Sequence, residues 1–382
     1  MNKFIFISSH ALIIDKNKVI HGTGSALFDY LKDRKIDFYY IKHPIYGGRR
    51  AIVDRFTNGR LITTVAKKKS SSFLILQTIQ EYFLTMSLIG KRKKPIELFI
   101  AIDPLNALYG ILAKKQKKVH KVVFYTADYA IKRFSNPVLN WIYHLIDRYA
   151  IRNADQVWNV STRITEKRRE QGIDDSRNFF LPNSPAYKKI KRLSFDKLNR
   201  HELVTVTTQA NAVNFSAVFS MLKNLQNKYP DIHLKVVGAG DWSIDFLPEL
   251  RRMGIENHVT FIGPMSHKEL LKLLSKAAIG LALYNDMRSW AYFSDSMKAR
   301  DFLACGLPVL ITKNTSTADD IKRANAGFVV EANEKQLTHA IDNMFSDKGL
   351  YLGFRKNALD LAKEHDIIRH LDKRFESIDR FI

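Results

Sequence analysis

Cysteine is nearly absent: the 382-residue chain has one, Cys305. That excludes a disulfide framework and a multi-cysteine zinc site, and it fits a reducing compartment. Long apolar runs are missing too. No stretch of about 18 uninterrupted apolar residues occurs, so no membrane-spanning helix is expected. The opening MNKFIFISSHAL is too short an apolar run for a secretory signal, lacks a small-residue cleavage site, and reads as a first β-strand. Acidic residues are scarce in the first half. Residues 1–200 hold 38 Lys and Arg against 16 Asp and Glu, a balance of +22; residues 201–382 hold 23 against 22, or +1. The first half is therefore expected to attract something anionic. No nucleic-acid-binding motif accompanies the charge, and no compact module interleaves basic and aromatic residues, so a nucleic acid is not the expected partner. No metal-ligand cluster is evident.

What is present is an ordinary globular balance, 46% hydrophobic and 26% charged, in a chain long enough for two α/β domains. Short β-rich runs alternate with amphipathic helices, the signature of parallel sheets. The first half shows strands at Phe4–Ser8, Asp37–Ile41, Leu98–Ile102, Lys121–Tyr125 and Gln156–Val160. Helices fall at Ala26–Lys35, Leu105–Lys114, Pro137–Arg152 and Thr162–Gln171. The second half shows strands at Leu203–Thr207, His233–Val237, Val259–Ile262, Ile279–Tyr284 and Pro308–Ile311. Its helices read at Phe215–Lys228, Ser243–Arg252, His267–Ser275 and Met297–Cys305. Between the halves, Asn183–Arg200 is polar and lysine-rich without periodicity and reads as linker.

Four segments of the second half carry the chemistry. Lys235-Val236-Val237-Gly238-Ala239-Gly240-Asp241 is a strand ending in two glycines, which admit a close ligand or another backbone. Val259–Ile262 exits tightly at Gly263-Pro264. The apolar strand Ile279–Tyr284 follows. The most informative is Ser294–Val309: Ser294 to Ser296 read as an N-cap, Met297 opens the helix, Gly306 closes it and Pro308 bars continuation. Lys298 and Asp301 stand three apart and share a face. A helix N-terminus with a first-turn lysine suits a pyrophosphate. Asp301 is placed to orient that lysine or a ribose hydroxyl.

Ser294–Val309 resembles the donor domain of the large retaining GT-B glycosyltransferases, in which an acidic residue precedes Ala-x-Gly-x-Pro-Val. It is still more similar to the inverting, membrane-associated glucuronosyltransferases of xanthan assembly, which carry a Ser-Met-Lys element at the donor pyrophosphate. The resemblance implies two Rossmann-like parallel-sheet domains facing a cleft, the GT-B fold. Residues 1–185 would bind acceptor, 186–200 link, and 201–365 bind nucleotide sugar; a helix in 366–382 would cross back to the first domain. It implies no permanent cofactor or metal, a UDP- or GDP-sugar co-substrate, and Gly238, Gly240, Ile262, Gly263, Tyr292, Ser296, Met297, Lys298 and Asp301 at the donor. The Asp-x-Asp motif of metal-dependent GT-A enzymes is not apparent. Two features depart from the retaining pattern: Phe293 stands where a glutamate is usual, with Asp295 the nearest acid, and Thr207–Asn214 has no basic residue.

In the first half Asp128 follows the strand Lys121–Tyr125, where ligand sites collect. It resembles the post-strand aspartate of the xanthan enzymes and is expected to be the general base of an inverting transfer. Asp103, before Pro104, reads as a helix cap. Gly22-Thr23-Gly24 opens the first helix and is a candidate acceptor contact. The preceding Ser9–His21 reads as a long loop of the kind that is often functional, with His10 and His21 either ligand contacts or solvated. Lys67–Lys69 and Lys91–Lys94 bracket an apolar helical stretch and, with Arg49, Arg50, Arg55 and Arg60, are expected to face an anionic membrane. The expected activity is transfer to a lipid-linked or surface-polysaccharide acceptor by a cytoplasmic enzyme peripheral to the membrane. A retaining transferase and a nucleotide-sugar epimerase are the alternatives.

Overall fold

The computed structural model describes residues 4–13, 19–20, 24–207, 213–238, 242–285 and 289–379. The chain forms two compact units, Met1–Pro182 with Ile368–Ile382, and Asn183–Ile367.

Unit 1 runs β1 (Phe4–Ile13), β2 (Val19–Ile20), α1 (Ser25–Asp33), β3 (Asp37–Pro44), β4 (Arg50–Thr57), β5 (Arg60–Lys69) and α2 (Leu74–Gly90). It continues β6 (Ile96–Ala101), α3 (Pro104–Lys115), β7 (Val119–Thr126), α4 (Pro137–Asn153), β8 (Gln156–Asn159), α5 (Thr162–Glu170) and β9 (Asn178–Phe180). The sheet order is β5-β4-β3-β1-β6-β7-β8-β9. From β3 to β9 the strands are parallel, and β4 and β5 add an antiparallel hairpin at one edge. That hairpin escapes sequence reading because β5 is exposed along its length and shows no alternation of apolar and polar residues. Phe6, Phe99, Val122 and Phe124 fill the core beneath the helices. α3 lies between α2 and α4 and packs on both.

Two expectations change here. Ser9–His21 is not one long loop: β1 extends to Ile13 and pairs antiparallel with β2. Asn183–Arg200 is no free linker. It folds onto unit 2, burying Ile190 and Leu198, and Arg192 donates to the Ala304 and Tyr187 carbonyls.

Unit 2 runs β10 (Glu202–Val206), α6 (Phe215–Leu225), β11 (His233–Val237), α7 (Trp242–Met253), β12 (Val259–Ile262), α8 (His267–Leu274) and β13 (Ile279–Ala282). Next come α9 (Ser289–Phe293), α10 (Met297–Cys305), β14 (Val309–Ile311), α11 (Ser316–Ala324), β15 (Gly327–Val329), α12 (Glu334–Ser346) and α13 (Lys348–Glu364). The sheet is parallel throughout, in the order β12-β11-β10-β13-β14-β15. The last helix, α14 (Ile367–Asp379), packs within unit 1: Phe375 stacks on Tyr30 and meets Trp158 edge-on, and Asp372 accepts from the Tyr30 hydroxyl at 2.8 Å.

Candidate functional site

In unit 2 the candidates gather at the C-terminal edge of a parallel sheet, where Rossmann-type folds bind ligands. α10 is held there by strong constraints. Ser296 caps it, its hydroxyl accepting from the Ala299 N–H at 3.2 Å, and Gly306 ends it at φ 82°. Residues Ala299–Cys305 are all buried. Arg300 fixes the helix from inside: its guanidinium reaches Asp295 at 2.8–2.9 Å and Asp320 at 2.5 Å, and bonds the His365 Nδ1 at 2.6 Å. Asp295 also accepts from the Thr317 hydroxyl and the Asn183 N–H. Asp295 is therefore a buried structural acid and does not take over the role of the glutamate missing at Phe293, which is itself buried.

Lys298 is the exception on this helix. It stays partly accessible, and its ammonium lies 4.2 Å from the centroid of the Tyr284 ring. Among the described residues no carboxylate pairs with it, and desolvation pulls it down to about 8. The first turn holds no acid, so the N-terminus of α10 and this lysine both present positive charge. Ser296, expected at the donor, has its hydroxyl shared between the cap and Tyr284 Oη, 2.5 Å away.

Asp301 is bonded to His267 and not to Lys298. Its buried carboxylate takes His267 Nε2 at 3.0 Å on both oxygens; burial raises its pKa and His267 opposes the rise. Asp301 was expected to orient the lysine or a ribose hydroxyl, and of these the contact with the lysine is not formed. Instead it holds His267, an exposed imidazole at the start of α8, three residues beyond Pro264. No sequence signal marks His267, because the contact joins residues 34 apart.

Gly238 ends β11 at φ 154°, and a Cβ there would lie 1.6 Å from the Thr207 carbonyl. Glycine is needed because another strand's backbone crosses there. Ile262 receives the Gly238 N–H at 3.0 Å, so Gly238, Ile262 and Gly263 are neighbours at the same edge. Gly263 has open space around its Cα. Tyr292 is exposed beside Phe293, and Met297 is exposed at the helix start. Gly240 lies outside the described residues, as do Gly22 and Thr23. Gly24 caps α1 in the left-handed region at φ 100°.

Unit 1 places Asp128 on the loop after β7, half exposed, with Arg133 Nη1 on its Oδ2 at 2.5 Å. Deeper in the same unit lies a cluster that sequence reasoning missed. His10 lies in β1 and not in a loop, and it is only partly exposed: Nδ1 meets Asp103 Oδ2 at 3.0 Å and Nε2 meets Glu81 Oε2 at 3.1 Å. Asp103 caps α3 as expected, accepting from the Asn106 N–H, and its other oxygen serves His10. Burial pulls the imidazole down, but the two carboxylates outweigh it and hold it up at about 10. Both carboxyls are depressed in return, against the opposing effect of burial. Neighbouring His43 is pushed by burial to about 4 and stays neutral, near Thr85. Both ring nitrogens of His10 are occupied, so it acts as a cationic clamp. Among the described residues no group of three or more His, Cys, Asp or Glu has metal-holding geometry.

Residues 188–360 match the family model of glycosyl transferases group 1. No curated protein sequence matches the chain. Among solved structures, HepE of Anabaena, in complex with UDP, is 13% identical with a TM-score of 0.68 over 100% of both chains. A glycosyltransferase from Rickettsia africae is 14% identical with a TM-score of 0.69 over 99% of each. The lipopolysaccharide-biosynthesis glycosyltransferase WaaG is 13% identical with a TM-score of 0.62 over 98% of this chain and 99% of its own. The chain thus shares the GT-B fold of these structures, and its second unit carries the match to the glycosyl transferases group 1.

Proposed function

We propose that the protein transfers a sugar from a UDP- or GDP-sugar to a hydroxyl of a lipid-linked or surface-polysaccharide acceptor at the cytoplasmic face of a membrane. The observation that carries the donor assignment is Lys298, a desolvated cation without a carboxylate partner among the described residues, in the first turn of α10. A diphosphate supplies the missing counter-charge, and helix N–H groups add donors. HepE, which shares the fold, was crystallised with UDP and with UDP-glucose. WaaG, which also shares it, acts in lipopolysaccharide biosynthesis, in line with a surface-glycan acceptor. Transfer inverts the anomeric centre, with Asp128 taking the acceptor proton while Lys298 stabilises the departing nucleotide. A retaining transfer is the second reading, favoured by the group 1 match; the anomeric configuration of the product decides between them.

Lys298→Ala is expected to weaken nucleotide-sugar binding by about 1.5–3 kcal/mol. Stability should be little changed, because burial disfavours the charge of this side chain in the free protein. The wild type should also lose donor affinity as pH rises past about 8, where the ammonium gives up its proton. Calorimetric titration across this range checks both; unchanged affinity in the folded variant would remove Lys298 from the site.

The positive balance of residues 1–200 supports attraction to anionic lipid. The protein is expected to sediment with vesicles containing phosphatidylglycerol, and added salt should weaken binding as screening rises. Equal binding to neutral and anionic vesicles would exclude an electrostatic contribution.

A further inference from the structure

Three helices of unit 1, α2, α3 and α4, lie side by side in one layer on the sheet. A helix in that position normally turns polar residues outward. These do not. On α2 the outward positions include Ile75, Ile79 and Phe83, exposed by 78%, 46% and 64%. On α3 the positions left between the buried ones are Leu105, Leu108 and Leu112, all half-buried. On α4 the exposed set is Val138, Trp141, Ile142 and Leu145, spaced as one face of a helix. Among the described residues, each helix therefore carries an apolar stripe that is left exposed on α2 and α4 and half-buried on α3. Large apolar side chains left exposed on neighbouring helices mark an interaction site.

Charge identifies the occupant. The acids within these three helices are Glu81 and Asp147. Both are buried, Glu81 against His10 and Asp147 against Arg168, so the outer face carries no negative charge from its own helices. Basic residues stand exposed at or just past the helix C-termini: Lys91 and Lys94, Lys117 and Lys118, Arg148 and Arg152. A second copy of this chain would bring the same cations against themselves. An anionic bilayer offers hydrocarbon for the stripes and phosphate for the cations, with tryptophan favoured at the boundary. No helix among the described residues is long and apolar enough to cross a membrane.

Resting on the membrane-face reading above, we infer that the outer face of the α2–α3–α4 layer inserts shallowly into the interface of an anionic bilayer, with Trp141 among the inserted side chains.

The test uses the full chain and phosphatidylcholine vesicles containing phosphatidylglycerol, with bromine on the acyl chains as a contact quencher. Wild-type tryptophan emission should be quenched, and Trp141→Phe should lose most of that quenching while still sedimenting. Ile79→Asp with Ile142→Asp, both at exposed positions, should lower vesicle partition by at least roughly tenfold. Nucleotide-sugar affinity, read in parallel, should not move. A fraction of wild-type binding should survive high salt, because apolar insertion is not screened. Sedimentation without quenching, fully reversed by salt, overturns insertion and leaves the electrostatic reading standing. Failure to sediment at all overturns both. A wild-type dimer that the double variant converts to monomer, with no vesicle binding, would assign the face to self-association and overturn the inference.

Discussion

Asp128→Asn is expected to lower sugar transfer by about 10²–10⁴-fold while donor affinity stays intact. Asparagine keeps the size of the side chain and an oxygen for Arg133, but it cannot accept the acceptor's proton. The loop that carries Asp128 is anchored independently, with the Arg133 N–H donating to Asn140 Oδ1 at 2.7 Å. The substitution therefore leaves the fold in place and isolates basicity. Single-turnover rates with a fixed donor, together with the anomeric configuration of the product, provide the check. Near-normal transfer, or a product retaining the donor's configuration, would remove Asp128 as base and leave the retaining mechanism.

His10→Ala is expected to destabilise unit 1 by about 3–5 kcal/mol, the cost of breaking a buried ion pair by deleting one partner. Asp103 and Glu81 would then be left without the cation between them. The pH dependence separates this from simple loss of packing. In the wild type the histidine is held up at about 10. Its stabilisation is complete below its ordinary value of about 6.5 and is lost as pH rises through about 10. The two carboxyls are depressed, so their share is present above the ordinary carboxylate range, about 4, and is lost on acidification. Removing His10 should abolish the alkaline loss. The deficit should also shrink as pH falls toward 4, where the stranded carboxyls take up protons. Denaturant titrations at several pH values measure this; a deficit that does not change with pH would reduce His10 to a packing residue.

Much of the donor half was legible in advance because its signals are local. Ser296, Met297, Gly306 and Pro308 mark both ends of α10 within a dozen residues, and the structure gives those ends. Gly238 was legible as a close approach, although only the structure shows that the approaching backbone is Thr207. Asp301 was read as a member of the helix placed to orient Lys298 or a ribose hydroxyl, and the contact with Lys298 does not form. Spacing of three puts two residues on neighbouring positions, but burial decides which way each turns, and His267 on α8 takes the carboxylate. In unit 1 the first strand was read too short, because a strand that continues into a hairpin shows no breaker at the true end.

By itself, the sequence determined the two α/β halves, the concentration of positive charge in the first, and the capped helix bearing Lys298. Each depends on residue types within a few positions of one another. Only the tertiary structure decided that Asp295 is consumed by Arg300, that Asp301 serves His267, and that His10 is clamped between acids from α2 and from the start of α3. Those choices join residues far apart in the chain, and ionisation follows from burial and from partners that no local pattern carries. The same holds for the outer face of α2, α3 and α4. Apolar periodicity locates the stripes, but whether a stripe faces a core or is left bare is fixed by how the helices settle on the sheet.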